Sequence, residues 1–301
     1  MEKSFYSNGK LLLTGEYVVL DGATALAIPT KKGQSLTVLP REENELLWSS
    51  FDVEGNCWFS AEFSLKTFEI LGCDNLTTAQ TLSRILKETR RLQPDFLSNS
   101  MGLQVLTELN FPKNWGLGTS STLINNIAQW AQVDAFLLLK NSFGGSGYDI
   151  AAAQHNTPIF YSKKNELSQI QEIKLPWDFT DSLFFVYLNQ KQNSKEGISH
   201  YKKQPATIKE VEKITDLSKK LLLCYTLSDF EAILNAHEET ISNIIGLPTV
   251  KATLFSDFNR SVKSLGAWGG DFIIATGTLE DMSYFSKKGY ETIIPFSEMM
   301  L

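Results

Sequence analysis

The chain has 301 residues, 43% hydrophobic and 21% charged, with a formal net charge of −6 at neutral pH. That length supports one large domain or two fused lobes with a sizeable core, and the acidic balance argues against a nucleic-acid-binding protein, which would carry a basic field. Its three cysteines, Cys57, Cys73 and Cys224, are widely spaced and suggest neither a disulfide framework nor a zinc site. No apolar run approaches the ~20 residues a membrane helix needs. The N-terminus lacks a signal-peptide pattern, since Asn8, Gly9 and Lys10 interrupt it early. A cytoplasmic protein with no membrane partner is therefore expected.

From the N-terminus, residues 4–30 alternate short apolar runs with Gly9, Gly15 and Asp21-Gly22, which predicts strands joined by tight turns. Lys10 and Glu16 stand out there, because a charge in an apolar segment needs a partner or a task. Residues 34–70 alternate again and predict a β-meander with a hairpin turn at Asp52–Asn56. Thr77–Leu92 has a helical stripe of Leu82, Ile85, Leu86 and Leu92, with Thr77 or Thr78 as cap and Lys87, Arg90 and Arg91 on a solvated face. Leu103–Phe111 alternates as a half-buried strand does.

Next comes Pro112-Lys-Asn-Trp-Gly-Leu-Gly-Thr-Ser-Ser-Thr122, followed by a helical pattern to Trp130. Gly116 and Gly118 let the backbone turn with positive φ and approach a ligand closely. Thr119, Ser120 and Ser121 fall at the helix start, where free N–H groups and the positive end of the helix dipole make an anion site. The hydroxyls of Ser120 and Ser121 are in place to reach a metal ion held by phosphates. Alone, such a loop is also what an ordinary turn looks like, and it is neither a Walker loop nor a Rossmann fingerprint.

A short helix is expected over Val133–Lys140. Gly144, Gly145 and Gly147 then form a turn, and Asp149 opens a helix of small residues, Ala151–Ala153, thin enough to approach the helix after the Gly116–Gly118 loop closely. By itself Asp149 reads as a helix-start residue satisfying free amides. Pro158–Tyr161 and Leu183–Leu188 read as buried strands, with a polar connection from Lys163 to Trp177. The segment Asn189–Lys203 reads as a solvated loop. Residues 207–245 predict two or three helices, the later one with a capping box at Ser228 and Glu231. Val250–Ser264 predicts another helix, leading into Lys263-Ser-Leu-Gly-Ala-Trp-Gly-Gly-Asp271 and an apolar strand. A helix over Leu279–Lys288 and a strand over Thr292–Phe296 close the chain.

Three of these segments, in this order, resemble the motifs of the GHMP kinases, which include galactokinase, homoserine kinase, mevalonate kinase and phosphomevalonate kinase. The loop over Pro112–Ser121 resembles their phosphate loop. Gly9-Lys10 followed by Gly15-Glu16-Tyr17 resembles the first motif in its mevalonate-pathway form, and Lys263–Asp271 resembles the third, with Trp268 in place of a glycine. Ser146-Gly147-Tyr148-Asp149-Ile150-Ala151 also matches the segment whose aspartate contacts the acceptor hydroxyl. The resemblance implies an α+β, two-lobed GHMP kinase fold, with a nucleotide-binding lobe over 1–170 and a ferredoxin-like lobe over 171–301.

It further implies an ATP-dependent small-molecule kinase of the mevalonate or phosphomevalonate type, using ATP and Mg2+, as a monomer or homodimer. Asp149 and Lys10 would be catalytic. Pro112, Trp115, Gly116, Leu117, Gly118, Thr119, Ser120, Ser121, Gly266 and Gly269 would bind nucleotide, Ser120 also the metal. Glu16, Tyr17, Ser146, Gly147, Lys191, Lys195 and Asp271 would bind the acceptor; Lys191 and Lys195 suit one already phosphorylated. Ala135–Lys140 has no acid where mevalonate kinases carry a glutamate as second Mg2+ ligand. A non-catalytic GHMP-fold binding protein is the alternative. Diphosphomevalonate decarboxylases share the fold but lack the Gly-x-Asp-x-Ala helix start in this form.

Overall fold

The computed structural model describes residues 2–98, 101–164, 167–192 and 194–301, and of Ser194 and Lys195 the backbone alone. The chain forms two compact units. The first comprises Met1–Gly9, Lys32–Lys113 and Leu117–Gln154; the second comprises Lys10–Lys31, Asn114–Gly116 and His155–Leu301. The long strands β1 (Lys3–Thr14) and β2 (Ala25–Pro40) pair with each other and run through both.

In the first unit, β3 (Glu45–Phe51) and β4 (Cys57–Ser64) form an antiparallel hairpin, with β5 (Ile70–Cys73) beyond β4. The turn is the expected one: Asp52 Oδ1 accepts the amides of Glu54 at 3.0 Å and Asn56 at 2.9 Å. After α1 (Leu76–Leu92) comes β6 (Leu103–Leu109), antiparallel to β2 and parallel to β3. The expected meander is thus interrupted: β2 and β3 are separated by a strand that arrives some fifty residues later. The helices α1, α2 (Thr119–Ala131), α3 (Ala135–Ser142) and α4 (Tyr148–Gln154) complete this unit. Its core gathers Trp48, Phe59 and Phe63 from the sheet with Leu82, Leu86, Ile124, Ile127 and Leu138 from the helices.

Asn75 caps α1 by accepting the Thr78 amide at 2.9 Å, two residues before Thr77, the earlier of the two expected caps. Arg90 is not a solvated residue. Its guanidinium donates to the carbonyls of Leu65, Lys66 and Phe96 at 2.7, 2.7 and 3.0 Å and lies 4.0 Å over the Phe68 ring.

In the second unit, Ala25–Ala27 of β2 pair with β7 (Ile159–Lys164), which forms a hairpin with β8 (Leu167–Glu172). A separate antiparallel sheet holds β9 (Leu183–Tyr187), β10 (Val262–Ser264), β11 (Phe272–Thr276) and β12 (Ile293–Pro295) in the order β10-β11-β9-β12. Between β9 and β10 lie α5 (Ser194–Tyr201), α6 (Ile208–Leu221), α7 (Leu227–Ile245) and α8 (Val250–Leu254); α9 (Ser283–Lys287) joins β11 to β12, and α10 (Phe296–Met299) follows. That strand order is ferredoxin-like, as expected. The unbroken apolar run of β9 reflects burial of both faces: Phe184 and Val186 join Phe255 and Phe285 on one side, while Phe185 stacks on Phe296 on the other.

Four expectations are corrected here. The polar connection contains β8, the loop after β9 contains α5, and the helix expected over Val250–Ser264 stops at Leu254 and yields to β10. The capping box belongs to α6, between Thr207 and Glu210, whereas α7 is capped by Thr226 through the Asp229 amide. Among the described residues, no helix is long and apolar enough to cross a membrane.

Candidate active site

The loop expected to hold phosphate is divided between the units. Gly118 adopts φ 95° and forms the N-cap of α2, which has no side-chain cap. The other long helices with an assigned N-cap, α1, α6 and α7, are all capped by a side-chain oxygen. The first amides of α2 are thus left to an outside acceptor, the condition for anion binding. Ser121 Oγ turns back to the Gly118 carbonyl at 2.8 Å, and Thr122 Oγ1 donates to Gln34 Oε1 at 2.7 Å. Ser120 is exposed, Thr119 is half-buried, and the Leu117 side chain is fully buried, which leaves its backbone alone for a ligand.

Asp149 lies in the first turn of α4, half-buried, after buried Ser146 and after Gly147 at φ 96°. The small residues act as expected: Ala151, Ala152 and Ala153 are buried where α4 meets α2, and Gln154 Nε2 donates to Asn125 Oδ1 at 3.0 Å. Pro112 is half-buried in the same unit.

In the second unit, Lys10 is 8% exposed and its Nζ donates to the Gly116 carbonyl at 3.0 Å. Asp271 comes from the third glycine segment to the same place. A Cβ on Gly116 would lie 2.3 Å from Asp271 Oδ2, so only glycine admits that carboxylate. Burial raises the Asp271 carboxyl above its ordinary value, against the opposing charges of Lys10 and Lys191. Asp271 itself has φ 52° and accepts the Gln192 amide at Oδ1, 3.3 Å away. Trp115 stands edge-on to Phe272 at 5.3 Å, and Tyr187 Oη donates to the Asn114 carbonyl at 3.2 Å, which anchors this stretch to the ferredoxin-like sheet. Gly266 and Gly269, with φ of 69° and 79°, shape the turn around Trp268.

Tyr17 and Trp268 meet where the first and third motifs do: the Trp268 amide donates to Tyr17 Oη at 2.9 Å. They line a cavity of about 210 Å3 with Gln192, Glu196, Gly197, His200, Ile245, Leu247 and Ala267. Glu16, expected beside the acceptor, is 1% exposed and paired with Lys263, so its carboxylate faces the interior. Lys191 is exposed, and the Lys195 side chain lies outside the described residues. Sequence reasoning missed Gln192, and it named Lys263 only as the first residue of the third motif, without a role. Only Lys263 left a signal, as a charge in a short segment otherwise suited to burial.

The two-lobed α+β architecture with this ferredoxin-like sheet is the GHMP kinase fold. Solved structures that share it include the mevalonate kinase of Methanococcus jannaschii, with a TM-score of 0.71 and 16% identity, covering 98% of this chain and 97% of that one. The phosphomevalonate kinase of Streptococcus pneumoniae in complex with phosphomevalonate and AMPPNP has a TM-score of 0.69 at 13% identity, covering 95% of each chain. The galactokinase of Lactococcus lactis complexed with galactose has a TM-score of 0.68 at 14% identity, covering 98% of this chain and 94% of that one. No family model matches the sequence and a search of curated proteins finds no match, so the likeness is one of fold.

Proposed function

We propose that the protein is an ATP-dependent kinase that transfers the γ-phosphoryl group of ATP to a hydroxyl or phosphate of a small acceptor, of mevalonate or phosphomevalonate type. The observation that carries this reading is the Lys10 ammonium, buried in an apolar strand and 3.0 Å from the Gly116 carbonyl of the glycine loop. Phosphoryl transfer chiefly needs positioning and charge neutralisation, and these residues supply both. The amides from Gly118 to Ser121 receive the phosphates. Asp149 orients the acceptor hydroxyl and takes its proton as the oxygen bonds to phosphorus and ADP leaves. Lys10 stabilises the charge on the oxygens at the transferring phosphorus. Tyr17, Ser146, Gly147, Lys191 and Asp271 hold the acceptor.

The donor set fits a Mg2+ that arrives on the nucleotide. Among the described residues no three His, Cys, Asp or Glu side chains group to cage a metal, while Ser120 is exposed in the first turn of the uncapped α2. Mg2+ usually keeps water and phosphate ligands with few from the protein. When bound, it would neutralise charge on the phosphates, with Ser120 as a ligand.

The test is ADP formation from Mg·ATP across mevalonate, phosphomevalonate and sugar acceptors, beside a thermal-shift series with nucleotide alone. Turnover with one acceptor class is expected; a protein that neither binds ATP nor turns it over loses this reading. The absence of any acid on α3 before its Ser142 end favours a second reading, a binding protein without catalysis. Stabilisation by nucleotide with no ADP from any acceptor would select it.

A further inference from the structure

Within the second unit, four ionisable side chains are sealed from water with too little positive charge to balance them. Glu16 after β1, His237 and Glu238 on α7, and Lys263 on β10 are each at most 2% exposed. Lys263 Nζ donates to Glu16 Oε1 and, at 2.7 Å, to the Ser264 carbonyl, and lies 3.9 Å from Glu238 Oε2. His237 Nε2 accepts the Gly15 amide at 3.0 Å, so its proton sits on Nδ1. Burial holds this imidazole well below its ordinary basicity, and Lys263 adds to that, so it is neutral. One ammonium thus faces two carboxyl groups. An uncompensated buried charge is strongly unfavourable, and the arrangement is neutral only if one carboxyl keeps its proton.

Geometry selects Glu238. Glu16 Oε1 takes the hydrogen bond of Lys263, whereas Glu238 accepts the Ser264 amide at Oε1 and stands 3.9 Å from the ammonium at Oε2; the Oε2 atoms of both carboxyl groups have no hydrogen-bond partner among the described residues. Burial also raises the Glu238 carboxyl to about 7, against the opposing charge of Lys263. Glu16 is raised by burial as well, but Lys263 opposes this both by charge and by hydrogen bond. Among the described residues, the charges that act on Glu238 are those of Lys263, which favours its carboxylate, and Glu16, which opposes it.

The cluster grips a strained turn. Tyr17 has φ 60°, an outlier for a bulky side chain that persists only where the surroundings over-determine it. Those surroundings are His237 on the Gly15 amide, Lys263 on Glu16, the Trp268 amide on Tyr17 Oη, and Tyr201 stacked at 5.9 Å. Gly197 lets α5 close on Tyr17, since a Cβ there would lie 2.6 Å from Tyr17 Oη. Tyr17 in turn lines the cavity beside Gln192.

We infer that Glu238 carries the proton that keeps this buried cluster neutral, and that Lys263 through Glu16 and His237 through Gly15 hold Tyr17 in place as a wall of the ligand cavity, with Glu238 a positioning residue that acts through the charge of the cluster. Loss of the proton to solvent leaves a second carboxylate near Glu16 and loosens the turn. The clamp stands on the buried cluster alone; its service to a phosphoryl acceptor rests on the kinase reading.

The sign follows from the protonation states. The native protein holds the Glu238 proton more tightly than the unfolded chain, so its contribution to stability is complete below about 4.5 and is lost as pH rises through about 7. Neutral His237 works the other way, with its contribution present above 6.5 and lost in acid. Wild type and Glu238→Gln are therefore compared, which cancels His237.

The experiment titrates ligand-free protein by infrared spectroscopy and by 15N NMR of the Gly15 and Trp268 amides. In wild type, a carboxylic-acid carbonyl band should vanish, and both amides should shift, with a common midpoint near 7. Glu238→Gln, a neutral isostere, should fold, lack the band and leave both amides unmoved across that range. The proposal is overturned if wild type shows no acid band, if either amide fails to titrate, or if the variant titrates like wild type. None of these readouts needs nucleotide or turnover, so they stand apart from failure of the kinase reading. Should an acceptor be found, an acceptor KM in wild type that is flat over the same pH range would overturn the cavity assignment.

Discussion

Lys10 places an ammonium at the end of a strand-borne stem that is almost wholly buried, so its charge and its packing can be separated. Lys10→Met keeps the stem and removes the charge. Turnover should fall about 10²–10³-fold, the usual loss when one donor to developing charge is deleted, with the unfolding midpoint little changed; steady-state kinetics and urea denaturation check the two halves. Asp149→Asn should lower turnover by about 10²–10⁴-fold, the range for a general base, while ADP-binding affinity measured by calorimetry stays near wild type. Unchanged turnover in a folded protein would remove Asp149 from the chemistry. Lys10 was legible because a charge in an apolar run has to be explained. Gln192 was not: its part is played by a backbone amide on Asp271, which residue type does not encode.

On the proposed reading, the glycine loop is the element on which nucleotide binding turns. Gly116 has φ 68° and would carry a Cβ 2.3 Å from Asp271 Oδ2. Gly116→Ala should therefore both strain the backbone, by about 1–3 kcal/mol, and push the carboxylate away. Nucleotide affinity by calorimetry should drop together with the denaturation midpoint, and a variant with native stability and affinity would show that the loop is more pliant than drawn. Long amphipathic helices such as α1, α6 and α7 could be read from their stripes. The strand β8 could not, because it is exposed along most of its length and lacks alternation. β10 is three residues with a lysine at its centre, and its burial comes from Glu16 and Glu238 far away in sequence. Tertiary pairing of this kind overrides local propensity.

For the whole molecule, a ligand that binds only the native state stabilises it by mass action, about 2.7 kcal/mol at a hundred times Kd. Mg·ATP should raise the melting temperature, and a chelator added with ATP should remove most of the shift if the metal arrives on the nucleotide. A chelator alone should change nothing, since the described residues offer no carboxylate cage. Calorimetric melts with ATP, Mg·ATP and chelator separate these outcomes.

The insertion of β6 between β2 and β3 has a temporal meaning as well as a spatial one. During synthesis, both flanking strands leave the ribosome long before residues 103–109 do, so each waits with one ladder of amides and carbonyls unmet. Open strand edges recruit other chains, and distant pairings form late. A nascent chain paused near residue 100 should therefore be prone to mispairing. The seven-residue β6 closes that gap, while Ala25–Ala27 of β2 wait longer still, for β7.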